Sequence, residues 1–314
     1  MNSRKNLVIL MVLAMISMTQ TAFSNNMLEL IVPNPPGGTT DIAGRYVSKI
    51  LNDANIPTMV LNRPGAQGTI GTKIAAKGNA QSTLLLLGTG PGLYAPLMLD
   101  VAPYDVLEEF SIVATIASDS IVVIVPSNSA IHNVQQLITA IGSSSRQSNW
   151  GHGAMSQKFA GILFMSKIKH VATEVPYNGA IQVATAVASG QLDFAFINYT
   201  EAKELAATGR VRMIGVAAKQ RLHQDSSIPT FYEQGIDFEH QAWFVLAAPK
   251  AMAPELVNKI NQSVTSAMKK DQTSYIHREM TPMISTVAQS EQFIRQQYKT
   301  YRPIIQGVKS QANK

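Results

Sequence analysis

The chain has 314 residues, 26 Lys and Arg against 20 Asp and Glu, a formal charge of +6, and no cysteine. The missing cysteines exclude a disulfide scaffold, a cysteine nucleophile and a lipidated-cysteine anchor, and the length allows a core that is stable without cross-links. The basic bias is mild and scattered, which favours anions and argues against nucleic acid, whose readers place Lys and Arg in a stripe with aromatic partners.

Arg4 and Lys5 precede an apolar run from Leu7 to Met18, and Ala22 and Ser24 stand at the −3 and −1 positions of a cleavage site. Residues 1–24 are therefore expected to be a secretory signal peptide, since a membrane span needs about 20 apolar residues. Export into the periplasm without a lipid anchor follows as an expectation.

The first strand, from Leu28, runs into Pro33-Asn34-Pro35-Pro36-Gly37-Gly38-Thr39-Thr40-Asp41 and then a helix whose apolar face is Ile42, Tyr46, Val47, Ile50 and Leu51. Further β-rich segments start near Pro57, Thr83 and Phe110, with helical patterns between the first three, the rhythm of βαβ units of about 30 residues. Phe110 to Pro126 reads as two strands, Ile112 to Ala117 and Ile121 to Val125, broken by Ser118-Asp119-Ser120 and crossing from one lobe to another. A second α/β series follows, with strands ending at Gly151, at Val175 (from Val171) and at Ile197 (from Leu192), and helices between them. The chain returns through Val211 to Ala218 and Gln224 to Pro229, and a strand at Ala242 to Ala248 with helices from Pro254 and Ser290 closes the first lobe. The expected architecture is α/β, two lobes joined by a two-strand hinge around a ligand cleft, with residues 25–119 and 223–314 in lobe 1 and 120–222 in lobe 2.

The loops that end the strands repeat one chemistry. Gly37-Gly38-Thr39-Thr40, Pro64-Gly65-Ala66-Gln67-Gly68-Thr69, Gly88-Thr89-Gly90-Pro91-Gly92, Gly151-His152-Gly153-Ala154-Met155-Ser156-Gln157 and Pro176-Tyr177-Asn178-Gly179 are rich in Gly, hydroxyl and amide residues. Glycine permits close backbone approach, and a helix start offers unpaired N–H groups and a positive dipole end to an anion. In open α/β sheets ligands bind at such carboxyl ends of strands. Asp41 either neutralises a ligand amine or caps its helix, and Tyr177 either stacks on a ligand or packs in the core. His152 lacks a metal-spaced partner, and Trp243 reads as packing. No Gly-x-Ser-x-Gly elbow, His-Glu-x-x-His or Walker lysine loop is present, so a binding protein without cofactor or metal is expected rather than an enzyme.

From about Leu30 to Ile305 the ordered set Ile31-Val32-Pro33, Pro36-Gly37-Gly38-x-x-Asp41, Asn62-Arg63-Pro64-Gly65-Ala66 with Gly71, Leu87-Gly88-Thr89, Pro103-Tyr104-Asp105, Val175-Pro176-Tyr177, Gly190-Gln191-x-Asp193, Pro229-Thr230 and Trp243-Phe244 resembles the Bug-type periplasmic solute receptors of tripartite tricarboxylate transporters. The resemblance implies a class II periplasmic-binding-protein fold that closes on a small organic carboxylate and presents it to membrane permease subunits, as a monomer and without cofactor. Carried onto this chain, it points to Gly38, Thr39, Asp41, Ala66, Gln67 and Thr89 of lobe 1 and to Gly153, Ser156, Tyr177, Asn178 and Asn198 of lobe 2 as ligand-binding residues. Four positions depart from the family pattern: Asn34 for an aromatic residue, Gln67 for a glycine, Asn178 for a lysine and Ile197 for an aspartate. Asn178 and Ile197 motivate the expectation of a less charged distal group on the ligand. A sensing role beside a signalling kinase, or a secreted enzyme acting on a carboxylate, are the alternatives.

Overall fold

Leu28–Val32 forms the first strand, β1, and its side chains alternate between two cores: Leu28, Leu30 and Val32 face one and Ile31 the other. The computed structural model describes residues 27–312 apart from 100–102, 144–146, 272, 275, 277 and 278, so the expected signal peptide lies outside the described residues. β1 is followed by α1 (Thr39–Asp53), β2 (Thr58–Asn62), α2 (Thr69–Ala76) and β3 (Thr83–Gly88), and the three strands pair in parallel in the order β2-β1-β3. Val47, Ile50 and Leu51 of α1 bury against one face of this sheet, as the helical spacing requires.

β4 spans Phe110–Pro126 without a break. The expected interruption at Ser118-Asp119-Ser120 does not occur, because these residues sit in the ladder opposite Trp243, Ala242 and Gln241 of β9 (Gln241–Pro249). The partner strand supplies their backbone hydrogen bonds, and this tertiary pairing overrides their low strand propensity. The first part of β4, to Ser120, pairs with β9, whereas Ile121 onward pairs with two strands of the second lobe. One strand therefore belongs to both lobes, and the outward crossing lies between Ser120 and Ile121.

The second lobe continues with α3 (Val134–Ser143), β5 (Asn149–His152), α4 (Met155–Ile168), β6 (Thr173–Pro176), α5 (Ala180–Ala188), β7 (Phe194–Asn198), α6 (Tyr199–Ala206) and β8 (Val211–Val216). β5, β6 and β7 are parallel, and the whole path runs β2-β1-β3-β9-β4-β7-β5-β6, with β8 added to β4. Val123 and Val125 face a core with Trp150, Phe164, Phe196, Phe231 and Phe238, while Val122 and Ile124 face one with Val183, Val187 and Ile197. Phe231 and Phe238 carry second-lobe packing well past the expected boundary at 222/223. The return strand is reached at His240, whose carbonyl accepts from Ile121 N at 3.3 Å and whose amide donates to Ala217 O at 2.9 Å. α7 (Pro254–Lys270), the short β10 (Thr281–Pro282) on β4, and α8 (Val287–Ala312) then cover the first lobe, with Ile294, Tyr298 and Ile305 of α8 in its core.

Both lobes thus present the carboxyl ends of parallel strands to the line between them.

Candidate functional site

At the end of β1 the chain must turn before α1, and Gly37 does so at φ +85°, a conformation only glycine takes without strain. Asp41, in the first turn of α1, bolts this loop. Its Oδ2 accepts from Gly37 N at 3.0 Å and from Arg45 Nε at 2.8 Å, and its Oδ1 accepts from Asn62 Nδ2 at 2.8 Å. Asn62 Nδ2 also donates to the Asn34 carbonyl at 3.0 Å. Burial alone would raise the Asp41 carboxyl, but these donors, the Arg45 guanidinium first, hold it below the ordinary value. Asp41 has no free face for a ligand, and it does not line the cleft.

The loop after β2 takes four consecutive positive φ angles: Gly65 at 135°, Ala66 at 43°, Gln67 at 55° and Gly68 at 94°. Two of these residues carry a Cβ in the left-handed region, a strain that persists where the surroundings enforce it. Gln67 lines the cleft and Ala66 does not. Thr89, after β3, lines it as well, and its hydroxyl clasps β9: Trp243 N donates to Oγ1 at 2.5 Å and Oγ1 donates to Trp243 O at 3.1 Å. Trp243 itself is buried, with its indole N–H on Gln297 Oε1 at 3.2 Å, in the packing role its sequence context indicates.

On the facing lobe, Gly153 passes so close to Gly179 that an added Cβ would stand 2.4 Å from the Gly179 carbonyl carbon. Gly153 N donates to Gln157 Oε1 at 2.8 Å, and Gln157 Nε2 donates to Asn198 Oδ1 at 3.0 Å and to Glu201 Oε2 at 3.0 Å. Glu201 then reaches across the cleft, where its Oε1 lies 3.4 Å from Thr39 N, at the start of α1. Burial raises the Glu201 carboxyl above its ordinary value, and hydrogen bonds from Thr39, Gln157 and Asn198 offset part of that rise. The lobes also meet beside the cleft, where Phe159 of α4 stacks on Tyr94 at a ring separation of 4.2 Å.

These loops enclose a cavity of about 390 Å³, of ordinary small-molecule size. Of the residues singled out in the sequence, Gly38, Thr39, Gln67 and Thr89 line it from one lobe and Gly153, Ser156, Asn178 and Asn198 from the other. Asp41, Ala66 and Tyr177 do not; Tyr177 packs against the second-lobe core near Val175 and Ala180. Asn34 is in the lining, whereas Ile197 is fully buried in that same core. His152 is also outside the lining, and its Nε2 meets Glu174 Oε1 at 3.0 Å. Thr39 is 4% exposed and its Oγ1 has no hydrogen-bond partner, an unused donor and acceptor at the cavity wall.

Gln157 and Glu201 were missed as site residues. Glu201 stands three residues after Asn198, the N-cap of α6, which is capping-box spacing and assigns it a local duty. Only the facing lobe reveals the cross-cleft contact. Among the described residues no group of three or more His, Cys, Asp and Glu could hold a metal, and no helix is long and apolar enough to cross a membrane.

Comparison with known proteins bears on this cleft. The chain is 25% identical over 289 residues to Protein BugT of Bordetella pertussis, covering 88% of each chain. It is 25% identical over 252 residues to a UPF0065 protein in the tcbD-tcbE intergenic region of a Pseudomonas species, covering 79% of this chain and 75% of that one. Among solved structures it superposes on R. palustris Rpa4515 with adipate at a TM-score of 0.85 and 23% identity, over 90% of this chain and 97% of the other. MatC of Rhodopseudomonas palustris with bound malate gives 0.81 at 20% identity, over 89% and 98%. The model of the tripartite tricarboxylate transporter family receptor matches residues 44–309, and the chain belongs to that family of solute-binding receptors.

Proposed function

We propose that this chain is the periplasmic receptor that captures a small organic carboxylate and delivers it to the permease subunits of a tripartite transporter, without chemical turnover. The observation that carries the reading is the convergence of strand-end loops from two lobes on one cavity, with the α1 N-terminus and the unpartnered Thr39 hydroxyl at its wall. Backbone N–H groups at a helix start, a hydroxyl and side-chain amides hold a carboxylate through hydrogen bonds and the helix dipole, with no need for a cationic side chain. The chain passes between the lobes at β4 and again at the return through His240, so rotation about these two crossings opens and closes the cleft on its ligand. Structural relatives solved with adipate and with malate, both carboxylates, support the ligand class. The proposed ligand contacts are Gly38, Thr39, Gln67, Thr89, Gly153, Ser156, Asn178 and Asn198.

A thermal-shift screen of the chain lacking residues 1–24 tests the reading. Small carboxylates, neutral sugars and divalent cations are compared; a ligand at 100 times its dissociation constant stabilises by about 2.7 kcal/mol, a clear rise in melting temperature. A shift with carboxylates alone supports the proposal, and a shift with a sugar or a metal ion and no carboxylate overturns it.

A further inference from the structure

The charges around the cleft are one-sided. Glu201 and Glu204 are the ionisable side chains in its lining, and among the described residues that line it there is no Lys, Arg or His. Arg45, Lys158 and Lys203, on the helices that contribute lining residues, are paired with other carboxylates: Arg45 with Asp41, Lys203 with Glu279 Oε2 at 2.7 Å, and Lys158 with Glu174 Oε1 at 2.7 Å. A site built to receive only negative charge would not aim a carboxylate into its own anion seat. Yet Glu201 Oε1 stands 3.4 Å from Thr39 N and would stand 3.6 Å from a Cβ placed on Gly38. Its orientation is held from behind, since Gln157 Nε2 fixes Oε2 while Gln157 Oε1 is itself fixed by Gly153 N. A side chain oriented by a second layer of hydrogen bonds is preorganised to meet a partner.

Resting on the carboxylate-receptor reading, we infer that the ligand carries an ammonium group close to its carboxylate, and that Glu201 selects for it. The carboxylate takes the unpartnered Thr39 hydroxyl and replaces Glu201 Oε1 on the Thr39 amide, and the neighbouring ammonium faces the oxygen so released. A dicarboxylate would instead bring a second negative charge to a lining that already holds two carboxylates. Proximity sets the spacing: the anion seat and Glu201 share one helix N-terminus, so ammonium and carboxylate stand on the same or adjacent carbons, as in an α- or β-amino acid. Asp41, the residue whose sequence position allowed it to meet a ligand amine, is consumed by Gly37, Arg45 and Asn62, and the duty passes to Glu201 across the cleft.

The test is a thermal-shift panel of the twenty protein amino acids and β-alanine against C2 to C8 mono- and dicarboxylates. Calorimetric titration of the best amino acid, its deaminated acid and the dicarboxylate of equal length follows. The amino acid is expected to bind at least tenfold tighter than both partners. In Glu201→Gln, which keeps the shape and one acceptor, that preference should fall to within about threefold. A monocarboxylate or dicarboxylate that matches its amino counterpart overturns the inference and leaves the carboxylate reading standing. So does a Glu201→Gln variant that tightens or weakens every carboxylate equally, which would make Glu201 a latch between the lobes. If no carboxylate of any series binds, the carboxylate reading fails, and this inference fails with it.

Discussion

Thr39 and Thr89 share a side chain and a cavity wall, yet their hydroxyls stand in opposite situations. The Thr39 Oγ1 has no partner, whereas the Thr89 Oγ1 serves both backbone groups of Trp243. Thr39→Val therefore removes nothing the empty protein uses: its melting temperature should hold within a degree or two, while ligand affinity drops about tenfold, the equivalent of one hydrogen bond of roughly 1.4 kcal/mol. Thr89→Val strips the partner from two buried backbone groups and should lower stability by about 2 kcal/mol, read as a melting temperature several degrees lower without ligand. Equal behaviour of the two variants would remove the distinction. Asp41 stands further back still. Asp41→Asn keeps the size but not the three-donor acceptor set, and a loss of about 1–3 kcal/mol is expected from breaking it. Because the native carboxyl lies below its ordinary value, its contribution is present above pH 4 and fades as pH falls through the native value. The gap between wild type and Asp41→Asn in melting temperature should therefore narrow on acidification.

At the scale of elements, the site is a set of loops whose spacing is fixed by glycines packed against backbone. An alanine Cβ at Gly153 would meet the Gly179 carbonyl carbon at 2.4 Å, and backbone cannot rotate out of the way as a side chain can. Gly153→Ala should therefore push the β5 and β6 loops apart. Ligand affinity should fall more than tenfold with a smaller change in melting temperature, because the strands behind the loops are untouched; titration beside a melting curve separates the two. Much of this was legible in the sequence. The βαβ rhythm and the glycine–hydroxyl loops locate the carboxyl ends of the strands, and eight of the eleven residues singled out line one cavity, because loop chemistry and position are local properties. What escaped is set by distant partners. Ser118-Asp119-Ser120 reads as a turn until β9 pairs with it, Phe238 reads as a return to the first lobe until Phe231 and Phe164 pack around it, and Glu201 reads as a cap until Thr39 faces it from 162 positions away. Gln67 holds φ +55°, which accounts for the glycine usual at this position.

At the scale of the molecule, the crossing between lobes carries two buried titratable groups that respond to pH in opposite senses. Asp119, in β4 just before the crossing, has both carboxylate oxygens buried without a hydrogen-bond partner, and burial, reinforced by the charge of Glu201, pushes its pKa up to about 8; Thr200 and Asn198 offset only part of this. His240, on the return, is buried beside Tyr94 and Phe159, and burial pulls it down to about 4 against the opposing pull of the Ser156 carbonyl. Asp119 keeps in the native state a proton that the unfolded chain releases near its ordinary 3.8, so stability falls as pH rises from about 4 to about 8, by up to 1.36 kcal/mol per pH unit from this group alone. His240 refuses in the native state a proton that the unfolded chain takes near 6.5, so its contribution erodes as pH falls from about 6.5 to about 4. The two slopes oppose each other on the acid side, and of this pair only that of Asp119 remains above pH 6.5. Melting temperature should therefore change little between pH 4 and 6.5 and decline from pH 6.5 to 8. Asp119→Asn removes the alkaline decline and leaves the His240 slope exposed, so the variant should be more stable than the parent at pH 8 and lose stability below pH 6.5. A parent that stays flat to pH 8, or an Asp119→Asn variant that declines in parallel with it, would show that Asp119 is ionised in the folded protein and that the crossing is not its dry environment.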